Sequence, residues 1–477
     1  MNTLTLSRIA QAVNGRLVGD DAAIDALVTD TRRLDASSTV PALFVAIRGE
    51  NFDGNDYVTR AAELGARAAL VSRETPGLAI PQVVVADTGL ALAQLATAVQ
   101  RERKARVIAI TGSNGKTSVK TLIATILQGA GRTYATPGNR NNEIGLPLAV
   151  IDAPEDAEFA VYEMGTGKPG DIAYLTAIAP PDVALVNNVA PAHLERMGSL
   201  LEIANTKSAV YDDLRDGGVA AINADDAFAP YFAERAHGHR LIRFGLEASA
   251  DVTARDIRLE AEGSRFVLVT PEGEAEVTLA MPGRHSVLNA LAATALALGA
   301  GVPLATIAAG IVATRPVQGR LNTHAFGDGV TLIDDSYNAN PGSLHAAIDT
   351  LATAGGARWL VLGDMRELGD DAVALHAEVG RRAKASGIER LYALGELSAA
   401  TVEAFGEGAV RFDAHDALAD ALRADIAARV AAGRGGVAPL RVLIKGSRGS
   451  AMDRIVKDML ATGAPAGGGG GGDMHAA

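Results

Sequence analysis

The chain has 477 residues, enough for two to four domains with cores of their own at the usual ~100–200 residues per domain. It contains no cysteine, which excludes disulfides, thiolate zinc sites and a thiol nucleophile. Its net charge of -12 comes without a lysine/arginine block, and no apolar run approaches the ~20 residues that span a bilayer, so neither a nucleic-acid binder nor a membrane-inserted protein is expected.

The first ten residues lack the basic region, long apolar core and small-residue cleavage site of an export signal, and a cytoplasmic location is expected. Residues 1–100 alternate short apolar strands at 43–47, 68–71 and 83–85 with helical segments at 57–64 and 90–100, which predicts a small α/β unit. Its polar signals are Thr29-Asp-Thr-Arg32 and the loop 48–57, whose composition alone is that of a turn.

The basic patch 101–106 marks a linker into a second domain, 101–314. Val107, Ile108 and Ile110 suit a buried strand, and Val119, Leu122, Ile123, Ile126 and Leu127 share one helix face. Between them Thr111-Gly-Ser-Asn-Gly-Lys-Thr-Ser118 reads as a phosphate cradle: Gly112 and Gly115 free backbone N–H groups for phosphate oxygens, Lys116 reaches the β/γ-phosphates, and Thr117 offers a hydroxyl to Mg²⁺. The full P-loop pattern has glycine where Ile110 stands, so an ordinary glycine-rich turn stays open on the motif alone.

Further strands at 159–162 and 183–186 run into Glu163 and towards His193. Carboxyl ends of parallel strands share one edge, so Gly115, Glu163 and His193 are expected at one crevice, where a carboxylate suits Mg²⁺. A helix-capping or solvent-facing glutamate is the alternative for Glu163, and a structural hydrogen-bonding role for His193. The loop 136–145 is too rich in side-chain amides to be buried without partners. Alternation at 266–270 and 277–279 predicts a β-hairpin insertion, and 283–289 opens an alanine-rich helix.

From Arg315 the pattern resets to βα units with strands at 330–335, 358–363, 390–394 and 441–444, a Rossmann-like outline without G-x-G-x-x-G after its first strand and hence without a dinucleotide. The tail 462–477, with six consecutive glycines, is expected to be disordered. The fold class is therefore α/β in three domains: a small N-terminal α/β domain (1–100), a central P-loop parallel-sheet ATPase domain (101–314) and a C-terminal Rossmann-like α/β domain (315–461).

Three domains, the Thr-Gly-Ser-Asn-Gly-Lys-Thr loop, Glu163, His193 and Asp335-Ser-Tyr-Asn-Ala-Asn-Pro341 together resemble the Mur ligase family, the ATP-dependent amide-forming enzymes of cell-wall precursor synthesis. The resemblance runs from residue 1 to about 460, and the absent first P-loop glycine is normal in that family. Within it, Gly138-Asn-Arg-Asn-Asn142, Val361-Leu-Gly-Asp-Met365 and Lys445-Gly-Ser-Arg-Gly449 resemble the member that adds D-alanyl-D-alanine to UDP-N-acetylmuramoyl-tripeptide through an acyl phosphate. The Asp-Tyr-Ala-His-Thr-Pro and Asp-Asn-Pro-Arg motifs of the tripeptide-forming sibling are absent from the sequence.

Carried over, the resemblance implies that Gly112, Ser113, Asn114, Gly115, Lys116, Thr117 and Ser118 hold ATP, with Asn289 at the adenine and Arg320 and Asp335 at the γ-phosphate and ribose. Ser286 stands where the family has a further asparagine. Thr117, Glu163, His193 and Lys207 would hold Mg²⁺, Lys207 as a carbamate, because an ammonium repels the ion. Lys116, Lys207, His193 and Arg320 form the implied catalytic set. Thr31, Arg32, Gly49, Asp53, Gly54, Asn141 and Asn142 would bind the UDP-linked substrate, with Thr31 in place of the usual serine and Asn55 in place of a common histidine. A monomer is expected. A sibling ligase adding a single amino acid, a P-loop nucleotide hydrolase and a non-catalytic UDP-sugar binder are the alternatives.

Overall fold

The run Val107 to Ile110 is fully buried because both its faces are covered, and it forms the strand Arg106–Thr111 near the middle of a six-stranded, wholly parallel sheet. The strand order is Arg240–Phe244, Val219–Asn223, Val183–Val186, Arg106–Thr111, Phe159–Glu163, Thr133–Ala135. Alternate residues serve two cores, Ile108 and Ile110 facing one and Val107 and Ala109 the other. Glu163 pairs in register with Ile110 and Val186 with Thr111, so the neighbouring strands end level with the glycine-rich loop. This computed structural model describes residues 1–191, 194–327, 329–432 and 438–462; His193 and the glycine tail from 463 onward lie outside the described residues.

The helix Lys116–Gln128 buries Val119, Leu122, Ile123, Ile126 and Leu127 against the sheet, beside Arg284–Gly299 and Leu304–Ala313. On the opposite face the core continues into the N-terminal domain. Leu92 and Leu95 of the helix Thr88–Glu102 belong to the same apolar cluster as Leu146, Ile151 and Tyr162, and the Tyr162 hydroxyl donates to Gln100 Oε1 at 3.2 Å. Arg103 adds hydrogen bonds to the carbonyls of Val150, Ile151 and Ala153. The first two sheets are thereby joined through one core.

The N-terminal sheet has five strands in the order Arg16–Val18, Gln82–Val84, Ala68–Val71, Ala42–Val45, Ala26–Val28. The third domain has six, in the order Asn322–Gly327, Val330–Asp335, Leu440–Lys445, Ala357–Gly363, Arg390–Leu394, Ala409–Phe412, antiparallel only at the first pair. Its two cores are separate from those of the other domains.

Three expectations change. The segment expected as a hairpin is a three-stranded antiparallel sheet, because Thr253–Leu259 joins Ser264–Thr270 and Gly273–Leu279. Thr253–Leu259 is polar and largely exposed, so it shows no apolar period. The helix expected at 57–64 begins as a 3₁₀ turn, Gly54–Tyr57, before Val58–Glu63, since the Asp53 side chain caps Asn55 N–H. Edge strands Asn322–Gly327 and Ala409–Phe412 were not anticipated, being short and half-exposed. Among the described residues no helix is long and apolar enough to cross a membrane.

Candidate active site

Gly115 adopts φ +81°, and a Cβ there would lie 2.5 Å from both Asn187 Nδ2 and Asn289 Oδ1. Conformation and space both demand glycine at the point where the strand turns into the helix. Lys116 then opens the helix and donates to Gly112 O at 2.7 Å. The N–H of Ser113 goes to Asn188 O at 2.9 Å and that of Asn114 to Asn188 Oδ1 at 2.8 Å, so Asn188 shapes the loop from the neighbouring strand end.

Thr117 is the meeting point of three elements. Its hydroxyl donates to Glu163 Oε2 at 3.1 Å and accepts from Arg320 Nη2 at 3.1 Å. Glu163 is 2% exposed; Asn141 Nδ2 donates to its other oxygen at 2.8 Å, and Lys120 Nζ lies 3.2 Å from Oε2. Burial alone would raise the Glu163 carboxyl, but Lys120, Lys116 and the Asn141 amide together hold it below the ordinary carboxylate value. Burial lowers the Lys116 ammonium, Glu163 opposing and Arg320 reinforcing. Lys207, on the helix Leu200–Ser208, is driven well below the usual lysine value by burial, with repulsion from Lys116 adding to it and Asp171 opposing.

Lys116, Thr117 and Glu163, but not Lys120 or Lys207, border a cavity of about 800 Å³ to which all three domains contribute: Glu50 from the first, the P-loop, Asn141 and Glu163 from the second, Arg320, Asp335 and Arg448 from the third. The third domain also meets the P-loop through Asn340 Nδ2, which donates to Asn114 Oδ1 at 2.8 Å. The Arg320 guanidinium lies over the Tyr337 ring, 4.5 Å from its centroid. Asp335 and Lys445 are register partners on adjacent strands, and Lys445 Nζ donates to the Asp335 carboxylate at 2.6 Å.

Of the residues singled out from the sequence, Gly115, Lys116, Thr117, Glu163, Asn141, Asn142, Asn289, Arg320 and Asp335 come together around this cavity. Asn289 Oδ1 accepts from Asn187 Nδ2 at 3.1 Å, so in this arrangement it braces Gly115 from behind. Thr31, Arg32, Gly49, Asp53 and Gly54 gather elsewhere, on loops that follow the adjacent parallel strands Ala26–Val28 and Ala42–Val45. The Arg32 side chain is 89% exposed and paired with Asp30 at 2.5 Å. Gly54 packs so closely that a Cβ would lie 2.6 Å from Ile47 O. Tyr337 and Arg448 belong to motifs read from the sequence but carry no site role there, and Lys120 and Asn188 carry none either; the spacing of Lys120, four residues after Lys116, is the available signal for one of them.

A hydroxyl and an ionised carboxylate oxygen 3.1 Å apart beside the phosphate loop fit Mg²⁺, which takes oxygen ligands from one or two side chains plus phosphates. Among the described residues no three histidine, aspartate or glutamate side chains cluster to hold a metal by themselves.

Comparison with known proteins follows the same division. Residues 38–100 match the Mur ligase family catalytic domain, 110–297 the Mur ligase middle domain and 319–448 the Mur ligase glutamate ligase domain. A UDP-N-acetylmuramoyl-tripeptide–D-alanyl-D-alanine ligase of Escherichia coli is 41% identical over 97% of this chain and 100% of its own. The chain belongs to the Mur ligase family. The same enzyme of Bacillus subtilis is 34% identical over 96% of this chain and 98% of its own. Among solved Mur ligases, MurF of Acinetobacter baumannii superposes with a TM-score of 0.90 at 32% identity, covering 97% of this chain and 100% of that one. MurF of Thermotoga maritima, solved with ADP, gives 0.79 at 26% identity over 91% of this chain and 96% of that one. The three-domain Mur ligase architecture thus extends over nearly all of the chain, and the cavity that the P-loop borders draws its walls from all three domains.

Proposed function

We propose that this Mur ligase joins D-alanyl-D-alanine to UDP-N-acetylmuramoyl-tripeptide in an ATP-driven reaction, giving the UDP-muramoyl-pentapeptide of peptidoglycan synthesis. The observation that carries the reading is the convergence on Thr117 of the P-loop, the Glu163 carboxylate and an arginine from another domain. Hydrolases also use an arginine at the phosphates; the ligase is favoured by the 41% identity over 97% of this chain to a D-alanyl-D-alanine-adding ligase and by the third-domain wall of the cavity, Asp335, Asn340 and Arg448.

The tripeptide carboxylate attacks the γ-phosphorus, its oxygen forming the new P–O bond as the bond to ADP breaks. The dipeptide amine then attacks the acyl carbon, loses a proton, and phosphate departs. Backbone N–H groups at the start of Lys116–Gln128 and the Lys116 ammonium face the phosphates; Arg320 follows the charge as it moves, and Asp335 takes the ribose. Magnesium, which Thr117 and Glu163 would hold, with Lys207 and His193 at a second position, supplies charge neutralisation to the phosphates when bound. Lys207 serves there as a carbamate: its burial favours the neutral amine, which adds CO₂ and releases a proton. Asn289, which lines the cavity while bracing Gly115, would contact the adenine through its remaining amide group. Thr31, Arg32, Gly49, Asp53 and Gly54 bind the uridine nucleotide, while Asn141 and Asn142 face the peptide end. The domain limits read as 1–100, 101–314 and 315–461, and the enzyme acts as a cytoplasmic monomer.

An isotope experiment tests the chemistry. With ¹⁸O in the tripeptide carboxylate, one label is expected in the released phosphate; label retained wholly in the peptide product would overturn the acyl-phosphate route.

A further inference from the structure

Lys120 stands one helical turn beyond Lys116, so both lysines leave the P-loop helix on the same side. Their surroundings differ. Lys116 lines the cavity, whereas Lys120 is 6% exposed and donates to Thr136 O at 3.0 Å and Gly138 O at 2.6 Å, with Glu163 Oε2 at 3.2 Å. An ammonium has three N–H donors, and here each has an acceptor. Stability alone gives little reason for this charge, since a buried ion pair is often matched or bettered by an apolar side chain of similar volume.

What Lys120 holds is an irregular stretch, 136–142, between the strand Thr133–Ala135 and the helix Gly145–Asp152. Gly138 has φ +55° and nothing within 4 Å of its Cβ position, so on that side the loop tip meets no neighbour and its carbonyl bond to Lys120 ties it to the body. Yet Asn141, three residues on, donates to Glu163 Oε1, and both Asn141 and Asn142 line the cavity. The Glu163 carboxylate thus touches the loop through one oxygen and the loop's lysine tether through the other.

We infer that Lys120 is a positioning residue that couples the nucleotide half of the cavity to the acceptor half, by fixing the 136–142 loop at once to the P-loop helix and to the Glu163 carboxylate. Sharing Glu163 with a cation leaves the two bonds to loop carbonyls in place, so the loop keeps its position when the nucleotide arrives. The coupling to acceptor binding rests on the ligase reading; the tether itself does not.

Lys120→Met keeps the length and apolar stem while removing the donors. Amide hydrogen exchange on the ligand-free protein should show faster exchange at 136–142 with the rest of the central sheet unchanged. In turnover, the KM for UDP-muramoyl-tripeptide should rise about tenfold or more, the scale of one lost charge-assisted hydrogen bond, while the KM for ATP stays within about threefold. Lys120→Met and Asn141→Ala should be strongly non-additive in that KM, because both act through one loop. Unchanged loop exchange in Lys120→Met overturns the inference whatever the activity of the wild type, as does a fall in kcat with both KM values unmoved. Faster exchange throughout the central domain overturns it too, by assigning Lys120 to general stability. A wild type that forms no peptide product instead removes the ligase reading and leaves the exchange result to decide the tether.

Discussion

Arg320 reaches back 203 positions in sequence to donate to the Thr117 hydroxyl at 3.1 Å, although the two residues belong to domains with separate cores. The bond is between side chains on the cavity wall, and among the described residues no apolar core is shared between the third domain and the other two. Ligands in the cavity are then expected to govern how long it stays there.

Arg320→Ala should lower kcat about 10²–10³-fold, the usual effect of removing one preorganised electrostatic donor, with a smaller change in the KM for ATP. Arg320→Lys should recover only part, because a point charge cannot both stack on Tyr337 and reach Thr117. Steady-state kinetics with each substrate varied in turn checks both.

Gly115→Ala adds a methyl group where φ is +81° and where two side-chain atoms lie 2.5 Å from the Cβ position. The left-handed conformation alone costs about 1–2 kcal/mol, and Asn187 and Asn289 must shift as well. Calorimetry should record a lower melting temperature, and titration with ADP should find nucleotide binding strongly weakened.

Lys207 supplies a pH test whose sign follows from its lowered affinity for a proton in the folded chain. Below the ordinary lysine value of 10.5 the unfolded chain binds this proton more readily than the folded one, so this group lowers stability, and the loss shrinks as pH rises towards 10.5. In CO₂-free buffer Lys207→Met should therefore be more stable than the wild type at pH near 7, with the difference narrowing towards pH 10. In bicarbonate the wild type should retain activity that Lys207→Met lacks.

Asp335 and Lys445 form a nearly dry pair, their side chains 13% and 5% exposed. Asp335→Asn leaves the ammonium without its counter-charge and should destabilise the third domain by about 3–5 kcal/mol, the range for breaking a buried pair. The double variant Asp335→Asn, Lys445→Met should regain much of that. Chemical denaturation of the three variants measures it.

Parts of this architecture could be read from residue order because their signals are local. Val107 to Ile110 is a continuous apolar run, as a strand covered on both faces must be, and the glycines of the P-loop announce a turn that only glycine can make. Asn322–Gly327 and Thr253–Leu259 escaped because they are edge strands with polar side chains, held by their neighbours' hydrogen bonds and not by their own burial. The site divides the same way. Lys116 and Thr117 belong to a motif with fixed spacing, whereas Lys120 looks like any lysine on a helix until the fold brings the Thr136 and Gly138 carbonyls to it. Thr31 and Arg32, expected in the first domain, and Asn141, expected in the second, stand on loops of different sheets, as the domain division read from the sequence implies.

The most direct test of the central claim is the mass of the product. Incubated with ATP, magnesium, UDP-muramoyl-tripeptide and D-alanyl-D-alanine, the protein should form the pentapeptide nucleotide with matching amounts of ADP and phosphate, and should release little phosphate when the dipeptide is withheld. Phosphate release that is indifferent to the dipeptide, or a product carrying a single added amino acid in preference to the dipeptide, would contradict it.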